Sequence, residues 1–498
     1  MTAVLTDALK RIMLDTIYTN ISDSAGSTGQ LGAGNYYIGI GKSQQWDASD
    51  TPVAAKNTLR EERNLRLNLQ SIKQAESVSY VVPRNNWASN NTYSAYDDDQ
   101  VGYPANNPYY VLTEDSNVYI CLQQGKTDGG IAVPSTVKPT SVLSRSVILS
   151  DGYIWKFLFT VSAADRDKYL SSNFMPVKQL DSDDPLKANW VAADSAAFLI
   201  QDSALSGQIG GVSVLTGGTG FTSIPTVTIT GNGDSAAAYA VISGGAVVDI
   251  KIDSAGNSPA TPRTSTSIWR HGYGYTDATV TISGGGGSGA TARANISPAF
   301  GFGADSRIDL KSSALMFNTK PSGDESGKFL IGQDFRQIAL IKNPRTTLYD
   351  SAFGSHFGIG HGAKDSAAAG SYYTAESGLA LNKMLFENTA ASDILDTIIV
   401  GGTSGAKAYV DRLEADGASR DFIYWHQDEA TGFGVFEASE AIVKDAGGGS
   451  VGNIDSAGCI STILDINRLA GDILYIENLA SVDRSSSQTE DIKVIIQI

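Results

Sequence analysis

Cysteine, histidine and positive charge are all scarce in this sequence. Two cysteines, Cys121 and Cys459, lie far apart among 498 residues. One disulfide is the most they could form, and two buried free thiols fit better with synthesis in a reducing cytoplasm. Basic residues number 37 against 53 acidic ones, a net charge of −16. A surface of that sign repels nucleic acid and anionic lipid over long range, so neither is expected as a principal partner. No apolar run approaches the ~20 residues that cross a bilayer. The opening TAVLTDALKRIMLDTIYTNI does not read as a secretion signal, because Asp7, Lys10, Arg11 and Asp15 interrupt it. Proline is sparse too, at 14 residues, which argues against a disordered proline/glycine tract.

Glycine is what the chain has in abundance, 52 residues, accompanied by serine, alanine, aspartate and asparagine. With 42% hydrophobic residues, this describes a folded chain of short strands and tight turns. Its length predicts two to four domains. Leu5, Leu9, Ile12, Met13 and Ile17 form one stripe of an N-terminal amphipathic helix, expected to dock on the protein's own core. A second helix is expected after Pro52, through AAKNTLREERNLRLNLQSIKQ. SVSYVVP then alternates as a strand, and YYVLTEDSNVYICLQQG reads as a hairpin turning at Glu114–Asn117. DGYIWKFLFTV (151–161) is an aromatic-rich strand, followed by a short helix in SAADRDKYL.

Composition changes near residue 206. GGTGFTSIPTVTITGNGDSAAAYAVI (217–242) resembles HGYGYTDATVTISGGGGSGATARANI (271–296) with a one-residue gap. Each copy runs Gly-x-Gly-aromatic-Thr, a Val-Thr-Ile strand, a glycine turn and a small-residue strand. A spacing of that length, roughly 50 residues, marks a repeated supersecondary unit. Core-like pattern resumes with SRIDLKSSALMFN and DFRQIALIKNP, then gives way to a second glycine-rich zone. The chain closes with GDILYIEN and EDIKVIIQI, whose Ile492, Val494, Ile496 and Ile498 share one face. The expected fold is mainly β and multidomain, with a few helices near the N-terminus. A discontinuous core (1–205, 301–362 and 461–498) carries two inserted β modules (206–300 and 363–460).

Several segments imitate catalytic motifs. NYYIGIGKSQQW (35–46) contains Gly41-Lys42-Ser43, the tail of a phosphate loop. Tyr36 stands where that loop needs its first glycine, and no good helix follows Ser43, so the pattern fails. His356 and His361 are five apart, which suits no zinc motif, and His271 and His426 stand alone. Gly448-Gly449-Ser450-Val451-Gly452 matches a nucleophile elbow but lacks the preceding buried strand and following helix, so a glycine-rich loop is expected. The acidic clusters Asp97-Asp98-Asp99 and Asp181/Asp183/Asp184 lack the ligand spacing of a calcium loop. No catalytic, cofactor-binding or metal-ligating residue is assigned, and no enzyme activity is expected.

Five of the remaining segments, in order, resemble the baseplate wedge protein of T-even-type contractile-tailed bacteriophages, the subunit that forms a homodimer in each wedge. They are the aromatic strand with Gly41-Lys42-Ser43 and Trp46, then VVPRNNW with Pro83, Arg84 and Trp87, then DGYIWKFLF with Asp151, Gly152, Tyr153, Trp155, Leu158 and Phe159. DFRQIALIKNP and the closing RLAGDILYIEN through QTEDIKVIIQI complete the set. The resemblance covers roughly residues 1–200, 301–350 and 465–498, and the glycine-rich zones have no counterpart in it. It implies a virion protein of the tail baseplate, a homodimer bound to other wedge subunits, with no cofactor and no nucleic-acid or membrane partner. The dimer-contact residues are not assigned. The alternative is an adhesin whose glycine-rich modules bind host glycans through exposed Tyr273, Tyr275 or Trp425; a tail-associated glycan hydrolase would need an acid pair as well.

Overall fold

A computed structural model of the chain describes residues 4–22, 36–104, 106–181, 190–252, 271–346, 348–350, 355–357, 372–388, 390, 392–417, 419–445, 447–456, 460–461, 465–485 and 490–498. As the period-two alternation demands, most of its elements are strands, gathered into several sheets. The chain forms two compact units. One comprises Met1–Ile12, Ser79–Leu315 and Gln497–Ile498; the other comprises Met13–Val78 and Met316–Ile496.

In the first unit the strands Tyr110–Leu112, Asn117–Gln123, Ile154–Thr160 and Val147–Ile148 lie side by side in that order. The expected hairpin is present, Tyr110 pairing with Ile120 and Leu112 with Val118. Ser116 takes a positive φ at its turn. The Ile154–Thr160 strand is buried on both faces. Tyr153, Trp155 and Phe157 join Tyr93, Tyr119 and Cys121 in one cluster, while Ile154, Leu158 and Phe159 join Val118, Ile120 and Phe302 in another. Continuous aromatic sequence on a strand therefore means a strand between two apolar layers. Ser162 caps the short helix Ala163–Tyr169 by accepting from the Asp165 N–H at 3.1 Å. A further helix, Ala192–Asp202, was not expected from the sequence; it buries Ala197 and Ile200, three residues apart, against the same sheet.

The two sequence copies in 206–300 build a pseudo-twofold module. Their Val-Thr-Ile strands pair with each other, Val227 opposite Ile282, Thr228 opposite Thr281 and Ile229 opposite Val280. Equivalent residues Thr228 and Thr281 face one another, so the local dyad passes between them. The flanking pairs repeat the symmetry. Thr219 and Gly217 pair with Ser288 and Ala290, and their counterparts Tyr273 and His271 pair with Asp234 and Ala236. Gly218 and Gly220 have φ of 64° and 80°, Gly272 and Gly274 of 62° and 75°. A side chain at Gly218 would strike the Ser288 carbonyl, and one at Gly272 the Asp234 carbonyl. Each copy thus presses its glycine turn onto the other's small-residue strand, and the two aromatics, Phe221 and Tyr275, meet in one core with Val227, Ala240 and Ile250.

In the second unit a five-stranded sheet runs Ser377–Leu379, Leu69–Gln74, Tyr36–Gly41, Asp334–Lys342, Asp472–Asp483. A seven-stranded sheet within 382–461 holds its own core around Met384, Ile399, Val410, Ile423, Trp425 and Ile442.

Two expectations are corrected. The helix after Pro52 covers only Leu59–Asn68; Leu69–Gln74 is a strand, because Tyr37 pairs with Gln74 and Ile40 with Ser71. Sheet pairing outweighs the helix propensity of the Leu-Gln-Ser-Ile-Lys-Gln run. The N-terminal helix spans Asp7–Ser22, but most of its expected stripe is not buried: Leu5, Leu9, Ile12 and Met13 are exposed, Ile17 is half-buried, and Leu14, off the expected stripe, is buried.

Candidate functional site

The Gly41-Lys42-Ser43 segment forms a turn held by several hydrogen bonds. Gly41 ends the central strand where the chain presses on the end of the Leu59–Asn68 helix, and a Cβ there would overlap the Asn68 carbonyl. Lys42 takes φ 62° and donates its N–H to that same carbonyl at 3.0 Å. The turn sends Ser43 inward, buried, and brings Trp46 to the surface side, half-buried.

Arg336, from the neighbouring Asp334–Lys342 strand, holds the turn closed. Its Nε donates to both oxygens of Asp50, at 2.8 and 2.9 Å, its Nη1 to the Ser43 carbonyl, and its Nη2 to Asp334 at 3.0 Å. Asp50 in turn accepts from the Trp46 N–H at 3.0 Å. The Arg336 hydrogen bond, ahead of the others, holds the Asp50 carboxyl below its usual range. Trp46 Nε1 donates to the Leu479 carbonyl at 2.8 Å, on the closing Asp472–Asp483 strand.

Beneath the turn lies a polar cluster. Ser43 Oγ donates to Asp411 Oδ1 at 2.7 Å, and His426 Nδ1 stands 2.6 Å from Asp411 Oδ2. Asp411 and His426 are fully buried. Asp411 sits where the pairing register shifts between Val410 and Arg412, a bulge that turns its carboxylate inward. The trio is serine, aspartate and histidine, but the carboxylate is central. The hydroxyl gives its proton to Asp411 rather than to an imidazole, and all three side chains are buried. It acts as an internal tie.

The turn is also unfit for phosphate. The Lys42 and Trp46 N–H groups are already committed within the protein, so neither is offered to a phosphate. The Lys42 ammonium lies 4.9 Å from the centre of the Trp46 ring, and burial lowers its pKa, with Asp428 pulling the other way. Beside this pair opens a cleft of about 430 Å³.

The other sequence candidates are dispersed. His271 is buried, its Nδ1 2.7 Å from the Ile209 carbonyl and its Nε2 3.0 Å from Ser146 Oγ. His356 lies on the strand Ser355–Phe357; His361, Cys459, Asp183 and Asp184 lie outside the described residues. Asp97 and Asp98 grip Arg293. Among the described residues, no group of three or more His, Cys, Asp or Glu side chains is placed to hold a metal ion. Cys121 is a buried free thiol, its pKa pushed far up by burial. Ser450 begins the strand Ser450–Asn453 and is exposed, so only Gly448 and Gly449 belong to the expected loop. Of the aromatics expected on the modules' surface, Tyr273 is 53% exposed, but Tyr275 and Trp425 are buried at 4% and 5%, because both serve as module core.

Sequence reading singled out the Gly41-Lys42-Ser43 turn but missed Asp411, Arg336 and the cleft. An arginine in the middle of an apolar strand, DFRQIALIK, was the available signal, since a buried guanidinium requires carboxylates nearby. Compared with known protein families and with curated proteins, the chain matches none.

Proposed function

We propose that this chain is a structural subunit of the baseplate wedge of a contractile phage tail, acting as a homodimer that links other wedge subunits and takes part in their rearrangement on contraction. The observation that carries the reading is the meeting of three resemblance-bearing segments. The strands Tyr36–Gly41, Asp334–Lys342 and Asp472–Asp483 are hydrogen-bonded neighbours, although more than four hundred residues of chain separate the first from the last. The turn after the first strand is joined to the other two strands as well, Ser43 to Arg336 and Trp46 to Leu479. These motifs form one framework that spans the second glycine-rich zone in sequence, as a discontinuous core carrying insertions requires. The exposed Leu9, Ile12 and Met13 on one helix, with Leu5 just before it, add the kind of apolar patch that permanent assembly contacts use.

The adhesin alternative loses two of its three aromatic platforms, since Tyr275 and Trp425 are buried. Immunoelectron microscopy of intact virions separates the readings, using one antibody against residues 206–300 and another against the core. Label at the baseplate periphery is the expected result. Label at fibre tips, or absence of the protein from purified particles, overturns the wedge assignment.

A further inference from the structure

The local dyad of the first module carries one chemical asymmetry. In one half the Gly285 carbonyl closes the glycine turn, accepting from the Thr222 N–H at 2.9 Å, the Ser223 N–H at 3.2 Å and Thr222 Oγ1 at 3.4 Å. Asn232 is the residue equivalent to Gly285, each standing four positions beyond its dyad threonine, Thr228 or Thr281. There a side-chain amide replaces the peptide carbonyl. Asn232 Oδ1 accepts from the Thr276 N–H at 3.0 Å and the Asp277 N–H at 3.3 Å, and its Nδ2 donates to Thr276 Oγ1 at 2.8 Å. Both clasps hold equivalent backbone, but only the second depends on an amide that can be lost from a side chain.

Asn232 is followed by Gly233, the one Asn-Gly pair in the sequence. Glycine leaves its peptide nitrogen unshielded, and attack of that nitrogen on the preceding side-chain carbonyl closes a five-membered ring. Gly233 is fixed here, because a Cβ would stand 2.4 Å from the ring of Tyr275, part of the module core, so no shielding side chain fits. The two N–H groups directed at Oδ1 polarise the Cγ carbonyl and stabilise the oxyanion that attack creates. Asn232 is exposed, so water reaches the ring once it forms. We propose that Asn232 is a site of spontaneous deamidation. The Gly233 nitrogen gives up its proton and bonds to Asn232 Cγ, the Cγ–Nδ2 bond breaks, and Nδ2 takes that proton and leaves as ammonia. Water then opens the succinimide. Opening at the side-chain carbonyl leaves aspartate and an unchanged backbone; its carboxylate still accepts from both N–H groups and from the Thr276 hydroxyl. Opening at the backbone carbonyl leaves isoaspartate, with one extra carbon in the main chain. That carbon lengthens the link between the strands Thr226–Gly231 and Asp234–Ala236 and draws Asp234 out of its pairing with Tyr273. The half closed by Gly285 has no such amide, so the module ages from one side. The site is independent of the wedge reading.

The test is incubation of the full folded chain at mildly alkaline pH and physiological temperature, followed by peptide mapping with mass spectrometry. A gain of about 1 Da is expected at Asn232, with isoaspartate among the products, at least about tenfold faster than at any other asparagine. Asn232→Gln, which would have to close a less favourable six-membered ring, should show no gain over the same period and keeps an amide in place. A folded chain that retains Asn232 while the urea-unfolded chain converts it overturns the proposal, since the turn would then protect the amide. Conversion of several asparagines at equal rates overturns it as well, as does a gain in the same peptide of Asn232→Gln.

Discussion

The two glycine-rich modules are tied to the strands around them by different means. The first is held at its flanks by partly exposed ion pairs, Arg293 to Asp97 and Asp98, each side chain about one-third exposed, by the better-buried Lys126–Asp249 pair at 3.0 Å, and by one buried neutral contact, His271 to Ser146 at 3.0 Å. The second sends Asp411 out of a bulge into a site with no solvent, where Ser43, Gln70 and His426 converge on it. The difference is one of dependence. Surface pairs are screened and can be lost with little harm. A buried carboxylate that has lost its partners, or partners that have lost their carboxylate, cannot be tolerated without refolding the neighbourhood. A module joined the first way is an attachment; a module joined the second way is a part of the framework.

The sharpest attempt to break this contrast is Asp411→Ala. It strands Ser43, Gln70 and His426 in a dry site and is expected to cost about 3–5 kcal/mol, read from the denaturant midpoint of the unit that contains it. Equal midpoints for the variant and the parent would reduce the buried tie to an ornament.

The first unit has a pH-dependent weakness of its own. Burial pushes the Asp309 carboxyl up to about 8, and burial lowers the Lys156 ammonium to about 8. The stabilising contribution of protonated Asp309 is fully present below about 4, the ordinary value, and is lost as pH rises through about 8. The contribution of Lys156 runs the other way: present above its ordinary 10.5, lost as pH falls through about 8. Stability of this unit should therefore decline between pH 5 and 8, by at most about 1.4 kcal/mol per pH unit, and recover above. Asp309→Asn should flatten the acid-side slope in thermal melts; a slope unchanged in that variant assigns it to other groups.

Within the first module, Gly218→Ala and Gly272→Ala should each cost about 1–3 kcal/mol, and by similar amounts, since they occupy equivalent positive-φ sites against equivalent carbonyls. Gly244→Ala, at φ 58° but facing open space, should cost less. Markedly unequal costs at 218 and 272 would break the symmetry argument. The smallest effect belongs to Arg293→Ala, at most about 1 kcal/mol and nearly abolished in about 1 M salt. A larger, salt-insensitive loss would move the first module into the same class as the second.

Much of the fold was legible because alternation and glycine turns are local signals. The Tyr110–Gln123 hairpin and the buried Ile154–Thr160 strand follow from patterns shorter than 30 residues, and the repeat from two such patterns, 217–242 and 271–296. Where tertiary pairing overrode propensity, at Leu69–Gln74, the local signal misled. The site was legible only as an anomaly. Gly41-Lys42-Ser43 stood out as a motif that failed, but nothing near it in sequence announces Asp411, 368 residues away, because a bulge rather than a residue type aims that carboxylate. Exposure was likewise misjudged at Tyr275 and Trp425, since an aromatic in a glycine-rich strand is often the only large side chain available to fill its core.

The dyad between Thr228 and Thr281 has a consequence for how the first module can exist at all. Two subunits that grip each other reciprocally must ordinarily meet by diffusion and fall apart on dilution. Here the same grip is closed by covalent continuity, so each half finds its mate at an effective concentration set by the intervening chain rather than by the amount of protein present. The module is a dimer that cannot be diluted.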